Sequence, residues 1–367
     1  MVKVSVIVPM YNARRYIAGC VDALLRQTIC DMEVIIVNDC STDGSMELCR
    51  ERYGGNPRVV LVQQPRNMGP GQARNAGMKA ASGEYLAFVD ADDGLLPETL
   101  QEMYETAMKT EADVVHAGGF LVPYASPVPD DLSELGRSQL VKSFWDHRPD
   151  ADGLYMMEAD LKTRLENWMK HYYHWNVCGK LFRASFIREY NMSFSDLPLS
   201  EDYCFVFHSL LHAKNYAILP CRGYYIYRIL MNSLTRSTKS AAFLAKTLRA
   251  LLGVSEVLEK SMEGIPFFEE NPEYRDRIID YSLSILDSFY VTQAYQCVGR
   301  KAAEEDETVR EVFRRHFGSN ARYATVLFCD YHDTLPEADD LMERINHTEY
   351  WADALSDGRV HLLEEDS

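Results

Sequence analysis

Three carboxylates lie within four residues at positions 90–93, directly after a predicted apolar strand. The run from Asp90 to Asp93 reads DADD, and the strand before it spans Tyr85 to Val89. Mg²⁺ and Mn²⁺ prefer carboxylate oxygens and commonly bridge to the phosphates of a substrate. The run therefore indicates a metal site at a strand end. The alternative is an acidic turn that caps the helix opening at Pro97.

Polar and aromatic side chains also follow the first two predicted strands. Tyr11 and Asn12 come after the first strand, and Asp39 comes after the second. An aromatic ring at a strand end can stack on a nucleobase, and a nearby carboxylate can accept a hydrogen bond from a base N–H. We also expect Asn12 to cap the helix that follows. Ordinary turn formation by Asp, Ser and Gly is the alternative interpretation.

A glycine-rich segment precedes the third predicted helix and reads NMGPGQARNAG from Asn67 to Gly77. Its glycines permit close approach of a ligand to the backbone, and the start of the helix offers free amides and positive potential. Arg74 lies in the first turn, where it can reach a base or a phosphate. A surface arginine without such a role is the alternative.

The composition limits the classes of ligand. Lys and Arg number 38 against 55 Asp and Glu, so the formal net charge of the 367 residues is −17. Nucleic-acid binders display a basic stripe, so we expect no nucleic-acid partner, although a diphosphate needs only a few local cations and amides. The nine cysteines contain no CxxC pair, which favours thiols in a reducing cytosol. No apolar run suits a signal peptide or a membrane span.

Strands and helices alternate with short loops over the first 120 residues. This alternation predicts an α/β fold with a mostly parallel sheet, in which ligands bind beyond the carboxyl ends of the strands. After residue 238 the pattern becomes amphipathic and helical. We predict a domain over residues 1–238, divided into a nucleotide-binding half (1–116) and an acceptor-side half (117–238), and a helical C-terminal extension over 239–367.

The sequence resembles family 2 glycosyltransferases of the GT-A fold. Four segments carry the resemblance in order, VSVIVPMYN, EVIIVNDCSTDGS, NMGPGQARNAG and GEYLAFVDADD, and weaker similarity extends to about residue 236. The family transfers a sugar from a nucleotide donor, and the resemblance implies the GT-A fold and a Mn²⁺ or Mg²⁺ cofactor. It also implies roles for the donor-side residues. Pro9 and Tyr11 line the nucleoside pocket, and Asp39 accepts from the uracil N3–H.

The same resemblance assigns the remaining donor-side positions. Arg74 contacts the base or its neighbourhood, and Asp90 holds the ribose or the sugar. Asp92 is the carboxylate of the DXD motif that ligates the metal on the diphosphate. Asp93 supports the metal shell or touches the sugar.

Two further positions come from the second half of the resemblance. Asp202, in the pair Glu201-Asp202, corresponds to the family's general base; a pair of carboxylates opposing a helix dipole is the alternative. Arg228, with Ser233 and Thr235, resembles a segment that closes over the diphosphate, and an ordinary strand end is the alternative. The neighbouring tyrosines, including Tyr225, are expected in the core.

Together these features predict an inverting, metal-dependent hexosyltransferase of cell-surface polysaccharide synthesis. The expected partners are a nucleotide-sugar donor, in particular a UDP-sugar, and a saccharide or glycolipid acceptor. The expected location is the cytoplasm, with peripheral contact to the inner membrane face and oligomerisation left open. The alternatives are a sugar-1-phosphate nucleotidyltransferase and a non-catalytic scaffold with the GT-A fold. The sequence does not identify the sugar, the acceptor or the metal.

Overall fold

A computed structural model of the chain describes residues 1–123, 128–132, 135, 137–143, 153–220, 224–229, 240–286 and 306–308. The chain divides into two compact units. One comprises Met1–Asp196 and Glu201–Ile229, and the other comprises Leu197–Ser200 and Leu230–Ser367. The predicted boundary at residue 238 falls outside the described residues, and the predicted division of the first domain after residue 116 stays a prediction.

The described part of the first unit contains twelve strands, seven α-helices and a short 3-10 helix at Arg137–Gln139. The strands are β1 (Val4–Met10), β2 (Met32–Asn38), β3 (Val59–Gln63), β4 (Tyr85–Phe88), β5 (Gly94–Leu95), β6 (Val114–His116), β7 (Phe120–Pro123), β8 (Leu140–Ser143), β9 (Tyr155–Met156), β10 (Lys180–Arg183), β11 (Tyr216–Ile218) and β12 (Tyr225–Ile226). The helices are α1 (Ile17–Leu25), α2 (Ser45–Tyr53), α3 (Pro70–Ala80), α4 (Thr99–Thr110), α5 (Leu161–Met169), α6 (Ala184–Glu189) and α7 (Glu201–His212).

Within the described residues the strands form two sheets. The larger has eight strands in the order β3-β2-β1-β4-β10-β6-β11-β9. Strands β3, β2, β1 and β4 are mutually parallel, as are β6 and β11, whereas β10 and β9 are antiparallel to their neighbours. The smaller sheet has the order β5-β12-β7-β8. The predicted α/β fold with a mostly parallel sheet is confirmed.

The central strands are apolar because both of their faces are covered. Every residue of β1 except Pro9 is buried, and β4 is buried throughout. Continuous apolar runs of this kind are typical of parallel strands packed between helices. The strand β3 lies at the edge of the sheet and is correspondingly more exposed. The core therefore fixes the strand ends, and these ends carry the polar residues of the candidate site.

Strand β10 was not predicted, and together with β9 it makes the main sheet mixed. It pairs antiparallel with β4 on one side and with β6 on the other. It has only four residues, preceded by Gly179 with a φ of +71° and followed at once by α6. A strand this short shows no periodicity that separates it from its flanking segments.

The expected cap of the first helix is wrong. Helix α1 begins at Ile17, and Tyr16 occupies the N-cap position without a capping side chain. Asn12 instead adopts a φ of +49° and accepts a hydrogen bond from the backbone N–H of Thr42. Asn12 therefore connects the loop after β1 to the loop after β2.

Apart from Leu197–Ser200, the described part of the second unit is mainly helical, as predicted. It contains α8 (Ala241–Met262), α9 (Pro266–Glu270) and α10 (Glu273–Leu286), and α8 packs against α10. Helix α8 lies in the region after residue 238 that was predicted to be amphipathic and helical. No helix in the described ranges has both the length and the apolar character to cross a membrane.

Candidate active site

The loops that follow β1, β2 and β4 meet at one edge of the main sheet. These strands are adjacent and parallel, so their carboxyl ends point in the same direction. Pro9 lies at the end of β1 and Tyr11 follows it, with the Tyr11 residue 52% exposed. Asp39 and Asp90 follow β2 and β4. The sheet therefore brings the sequence-predicted donor residues to one edge, where ligands bind in open α/β sheets.

The first two of these loops are held together by hydrogen bonds. The backbone N–H of Asn12 donates to Ser41 Oγ at 3.0 Å, and that of Arg14 donates to Asp43 Oδ2 at 2.9 Å. In the opposite direction, the backbone N–H of Thr42 donates to Asn12 Oδ1, so the three hydrogen bonds tie the Tyr11 loop to the residues that follow Asp39. Tyr11 thus keeps an exposed ring on a backbone that is well constrained.

The carboxylate of Asp39 anchors the glycine-rich loop before α3. Asp39 is buried, and its two oxygens accept from the backbone N–H groups of Met68 and Gly69, each at 2.8 Å. Each carboxylate oxygen has a second lone pair, so these contacts leave capacity for a base N–H. Asp39 positions the loop at residues 68–69 whether or not it also reads the base.

Arg74 is buried rather than exposed, and two carboxylates hold its guanidinium. Nη2 donates to Asp90 Oδ1 at 2.9 Å, and Nη1 donates to Glu201 Oε1 at 2.8 Å. Burial lowers the pKa of Arg74, but the charges of Asp90 and Glu201 outweigh it and raise that pKa overall. The interpretation as a surface arginine is therefore wrong. The predicted contact with the nucleotide stays a prediction.

Asp92 and Asp93 have different environments although they are adjacent. Asp93 is buried, and its carboxylate accepts from the Tyr225 hydroxyl at 2.7 Å and from the Arg228 backbone N–H at 2.8 Å. Asp92 is partly exposed, and no other described side chain donates to its carboxylate. Burial and the charge of Asp90 raise the pKa of Asp92 to about 6. Asp92 is thus the carboxylate of this pair that is open to a ligand.

The guanidinium of Arg228 is occupied by main-chain oxygens. Its Nε donates to the carbonyl of Asp92 at 2.9 Å, and its Nη2 donates to the carbonyls of Pro129 and Asp130. The same group lies 4.7 Å from the centre of the Tyr16 ring. These contacts fix the turn at residues 90–93. Ser233 and Thr235, predicted to act with Arg228, lie outside the described residues.

Helix α7 presents its first turn to this cluster. It begins at Glu201, which is buried, and Asp202 follows with its Oδ1 accepting from the backbone N–H of Tyr203 at 2.9 Å. Burial, then the charge of Glu201, raise the pKa of Asp202 to about 7, while Arg74 opposes the increase. A carboxylate with a pKa near neutrality is suited to accepting a proton at physiological pH.

The donor set at residues 90–92 fits a metal that is shared with a substrate. The described residues contain no group of three or more His, Cys, Asp or Glu side chains arranged to enclose a metal ion. Mg²⁺ is usually held by one or two carboxylates together with substrate phosphates rather than by a protein cage. The partly exposed carboxylate of Asp92 meets this requirement, and a diphosphate and water would supply the remaining ligands.

Tyr225 has a role at the site that the sequence did not reveal. Its hydroxyl donates to Asp93 and accepts from the backbone N–H of Asp90 at 3.2 Å. The prediction that it lies in the core is correct in burial, but it omits this function. Its position as the first residue of the YxYR segment, which ends at Arg228, was the available signal.

The sequence is similar to those of known glycosyltransferases. Residues 5–133 match the model of the family described as Glycosyl transferase family 2. The chain is 32% identical over 233 residues to the uncharacterized glycosyltransferase EpsJ of Bacillus subtilis, covering 63% of this chain and 62% of EpsJ. It is 29% identical to the poly(ribitol-phosphate) beta-glucosyltransferase of Bacillus spizizenii, covering 61% of this chain and 32% of that one. Residues 5–133 therefore carry a glycosyl transferase family 2 domain.

The fold has a counterpart among solved structures. The 1–349 fragment of TarS from S. aureus, crystallised with UDP-GlcNAc, matches with a TM-score of 0.64 at 19% identity, covering 97% of this chain and 92% of that one. The predicted GT-A fold is thereby confirmed. The chain spans about three fifths of the length of EpsJ and of the putative glycosyltransferase EpsH, the first two curated relatives.

Proposed function

We propose that this protein transfers a hexose from a UDP-sugar to a hydroxyl group of a saccharide or glycolipid, with inversion at the anomeric carbon. The observation that carries the proposal is the meeting of Asp39, Asp90, Asp92 and Asp202 around one edge of the sheet. This reaction needs a pocket for the nucleotide, a site for the diphosphate and a general base.

The donor is proposed to bind along the ends of β1, β2 and β4. The exposed ring of Tyr11 offers a stacking face for the base, and Asp39 has a remaining lone pair for the uracil N3–H. Asp90 is held in place by Arg74 and faces the ribose or the sugar. Pro9 closes the pocket on the β1 side. TarS was crystallised with UDP-GlcNAc, which makes UDP-sugars the first donors to test.

Asp92 is proposed to hold Mn²⁺ or Mg²⁺ together with the donor diphosphate. When bound, the metal neutralises charge on the departing nucleotide. Asp93 and Arg228 keep the turn that carries Asp92 in a fixed conformation, because their hydrogen bonds close around residues 92–93. The protein thus supplies one open carboxylate on a rigid turn.

Asp202 is proposed as the general base. A hydroxyl that attacks the anomeric carbon must lose its proton as the new bond forms, and the acceptor oxygen passes that proton to the Asp202 carboxylate. The carbon–oxygen bond to the diphosphate breaks on the opposite face, and the leaving group departs as UDP. One displacement of this kind inverts the anomeric configuration.

The relatives suggest the biological setting. The Bacillus spizizenii relative is named for beta-glucosyl transfer to poly(ribitol phosphate). We therefore propose a role in cell-surface polysaccharide synthesis, on the cytoplasmic side of the membrane. The same proposal includes contact of the second unit with the inner leaflet of the membrane and self-association of the protein.

The function is tested by incubating the protein with UDP-glucose and UDP-N-acetylglucosamine, with and without Mn²⁺, and with poly(ribitol phosphate) as the acceptor. Release of UDP that depends on Mn²⁺, with sugar found on the acceptor, supports the proposal. Release of pyrophosphate from a nucleoside triphosphate and a sugar phosphate would identify a nucleotidyltransferase instead. UDP binding without any turnover would identify a scaffold.

A further inference from the structure

The guanidinium of Arg74 joins two carboxylates that belong to different elements. Asp90 follows β4, and Glu201 begins α7, with 127 positions between Arg74 and Glu201. The side chains of Arg74 and Glu201 are 6% and 9% exposed, and that of Asp90 is 36% exposed. The ion pair with Glu201 is therefore shielded from solvent, where loss of one partner is costly.

Helix α3 makes one further close approach to the start of α7 and two contacts with Phe194, which lies seven residues before it. Asn75 exchanges two hydrogen bonds with the backbone of Phe194, each at 2.9 Å. The guanidinium of Arg74 lies 5.5 Å from the centre of the Phe194 ring. A Cβ added to Gly71 would lie 2.8 Å from Glu201 Cγ. Helix α3 thus contacts Glu201 through the charge of Arg74 and the close approach of Gly71, and Arg74 also contacts the nearby ring of Phe194.

We propose that Arg74 is a positioning residue that fixes the first turn of α7, and with it Asp202, relative to the donor-side carboxylate Asp90. This inference rests on the proposed function, since it concerns the base of that reaction. It gives Arg74 a different task from a contact with the nucleobase. Both terminal nitrogens of its guanidinium already donate to carboxylates.

The charges around Asp202 give this role a measurable consequence. The charged and titratable groups that face Asp202 are Glu201 and Cys204 on its own helix, Arg74 on α3, and Asp90 after β4. Arg74 is the cation among them. Its removal leaves Asp202 beside two carboxylates without compensation, so the pKa of Asp202 must rise. Removal of the Glu201 charge has the opposite effect.

The test is the pH profile of turnover at saturating donor for Arg74→Gln, Glu201→Gln and the double variant. UDP release from UDP-glucose or UDP-N-acetylglucosamine in the presence of Mn²⁺ is the readout, with poly(ribitol phosphate) or water as the acceptor. We expect the acidic limb to move to higher pH in Arg74→Gln. If the pKa of Asp202 rises by about one, the rate on the acidic side of the profile falls about tenfold. The limb should move to lower pH in Glu201→Gln and return towards the wild-type position in the double variant.

Arg164→Gln is the matched control. Arg164 is also buried, and its guanidinium donates to the carbonyls of Leu210 and Ala213 at the other end of α7. Its loss should lower the stability of the fold and leave the acidic limb in place. A merely structural role of Arg74 would give the same pattern as Arg164.

Three results would overturn the inference. One is an acidic limb of Arg74→Gln that coincides with wild type while the KM for the UDP-sugar rises tenfold or more, since that identifies a donor contact. Another is movement of the Arg164→Gln limb by the same amount. If Arg74→Gln does not fold, Glu201→Gln alone decides, and an unmoved limb contradicts the inference. Failure of the proposed function is distinguishable, because the wild-type protein would then release no UDP or Asp202→Asn would retain full turnover.

Discussion

The hydroxyl of Tyr225 donates a hydrogen bond to the buried carboxylate of Asp93 across 2.7 Å, although 132 positions separate the two residues. The same hydroxyl accepts from the backbone N–H of Asp90. One side chain from β12 therefore holds both ends of the turn at residues 90–93. The turn owes its shape to a strand of the smaller sheet as well as to its own residues.

Tyr225→Phe should destabilise the protein and weaken donor binding together. The substitution leaves a buried carboxylate with one fewer donor, which costs about 1–3 kcal/mol. Urea unfolding measures the stability, and calorimetry with UDP and Mn²⁺ measures the affinity. Tyr85→Phe is the control, because the Tyr85 hydroxyl is also buried but donates to the carbonyl of Ala112. Equal effects of both substitutions on UDP affinity would contradict a specific role for Tyr225.

Asp39→Asn should weaken UDP binding about tenfold. An amide can accept through only one of its two polar atoms, so it cannot hold the N–H groups of both Met68 and Gly69. A hydrogen bond to a charged group is worth about 1.5–3 kcal/mol. Asp113→Asn is the control, since Asp113 also accepts from two backbone N–H groups, those of Lys214 and Asn215. Unchanged UDP affinity in Asp39→Asn would show that the loop does not depend on this carboxylate.

Asp92→Ala should abolish the dependence of UDP binding on metal. The metal contributes several kcal/mol to leaving-group stabilisation, so turnover should fall by at least ~10²-fold. Titration of UDP with and without Mn²⁺ gives the affinity, and circular dichroism verifies the fold. Asp31→Ala removes an exposed carboxylate paired with Lys3 and should behave as wild type. Metal-dependent binding that survives in Asp92→Ala would locate the ligand elsewhere.

Turnover should decrease as the pH falls below about 7. Burial and Glu201 raise the pKa of Asp202 to about 7, and only the ionised form can accept a proton from the acceptor. Well below that pH, the rate should fall tenfold for each unit. The profile is recorded at two saturating Mn²⁺ concentrations, because Asp92 has a pKa raised to about 6. A limb that shifts with metal concentration would belong to Asp92 instead of Asp202.

The sequence predicted the strand ends well and the connections between them poorly. The apolar runs before Asp39 and Asp90 are continuous, so the parallel strands and the edge that carries these carboxylates follow from local pattern. The partners of Arg74 and Asp93 could not be predicted from local pattern. Glu201 and Tyr225 come from distant elements, and their pairing depends on packing that no local period encodes.

The wrong prediction that Asn12 caps the first helix has a similar cause. Asn12 favours both helix caps and turns, because its short amide can hydrogen-bond to nearby backbone in either. Asn12 accepts a hydrogen bond from Thr42 in the neighbouring loop, and the helix begins later, at Ile17. Local propensity identified a polar residue with a structural task. Tertiary contacts decided which task it performs.

The most direct test of the account compares Asp202→Asn with the wild-type protein in two measurements on the same preparation. Calorimetry gives the affinity for UDP with Mn²⁺, and UDP release at saturating donor gives the transfer rate. The amide keeps the size of the side chain but cannot take a proton, and loss of a general base costs typically ~10²–10⁴-fold in rate. We predict unchanged affinity with turnover reduced by that factor. Near-normal turnover in Asp202→Asn would contradict the assignment of Asp202 as the base.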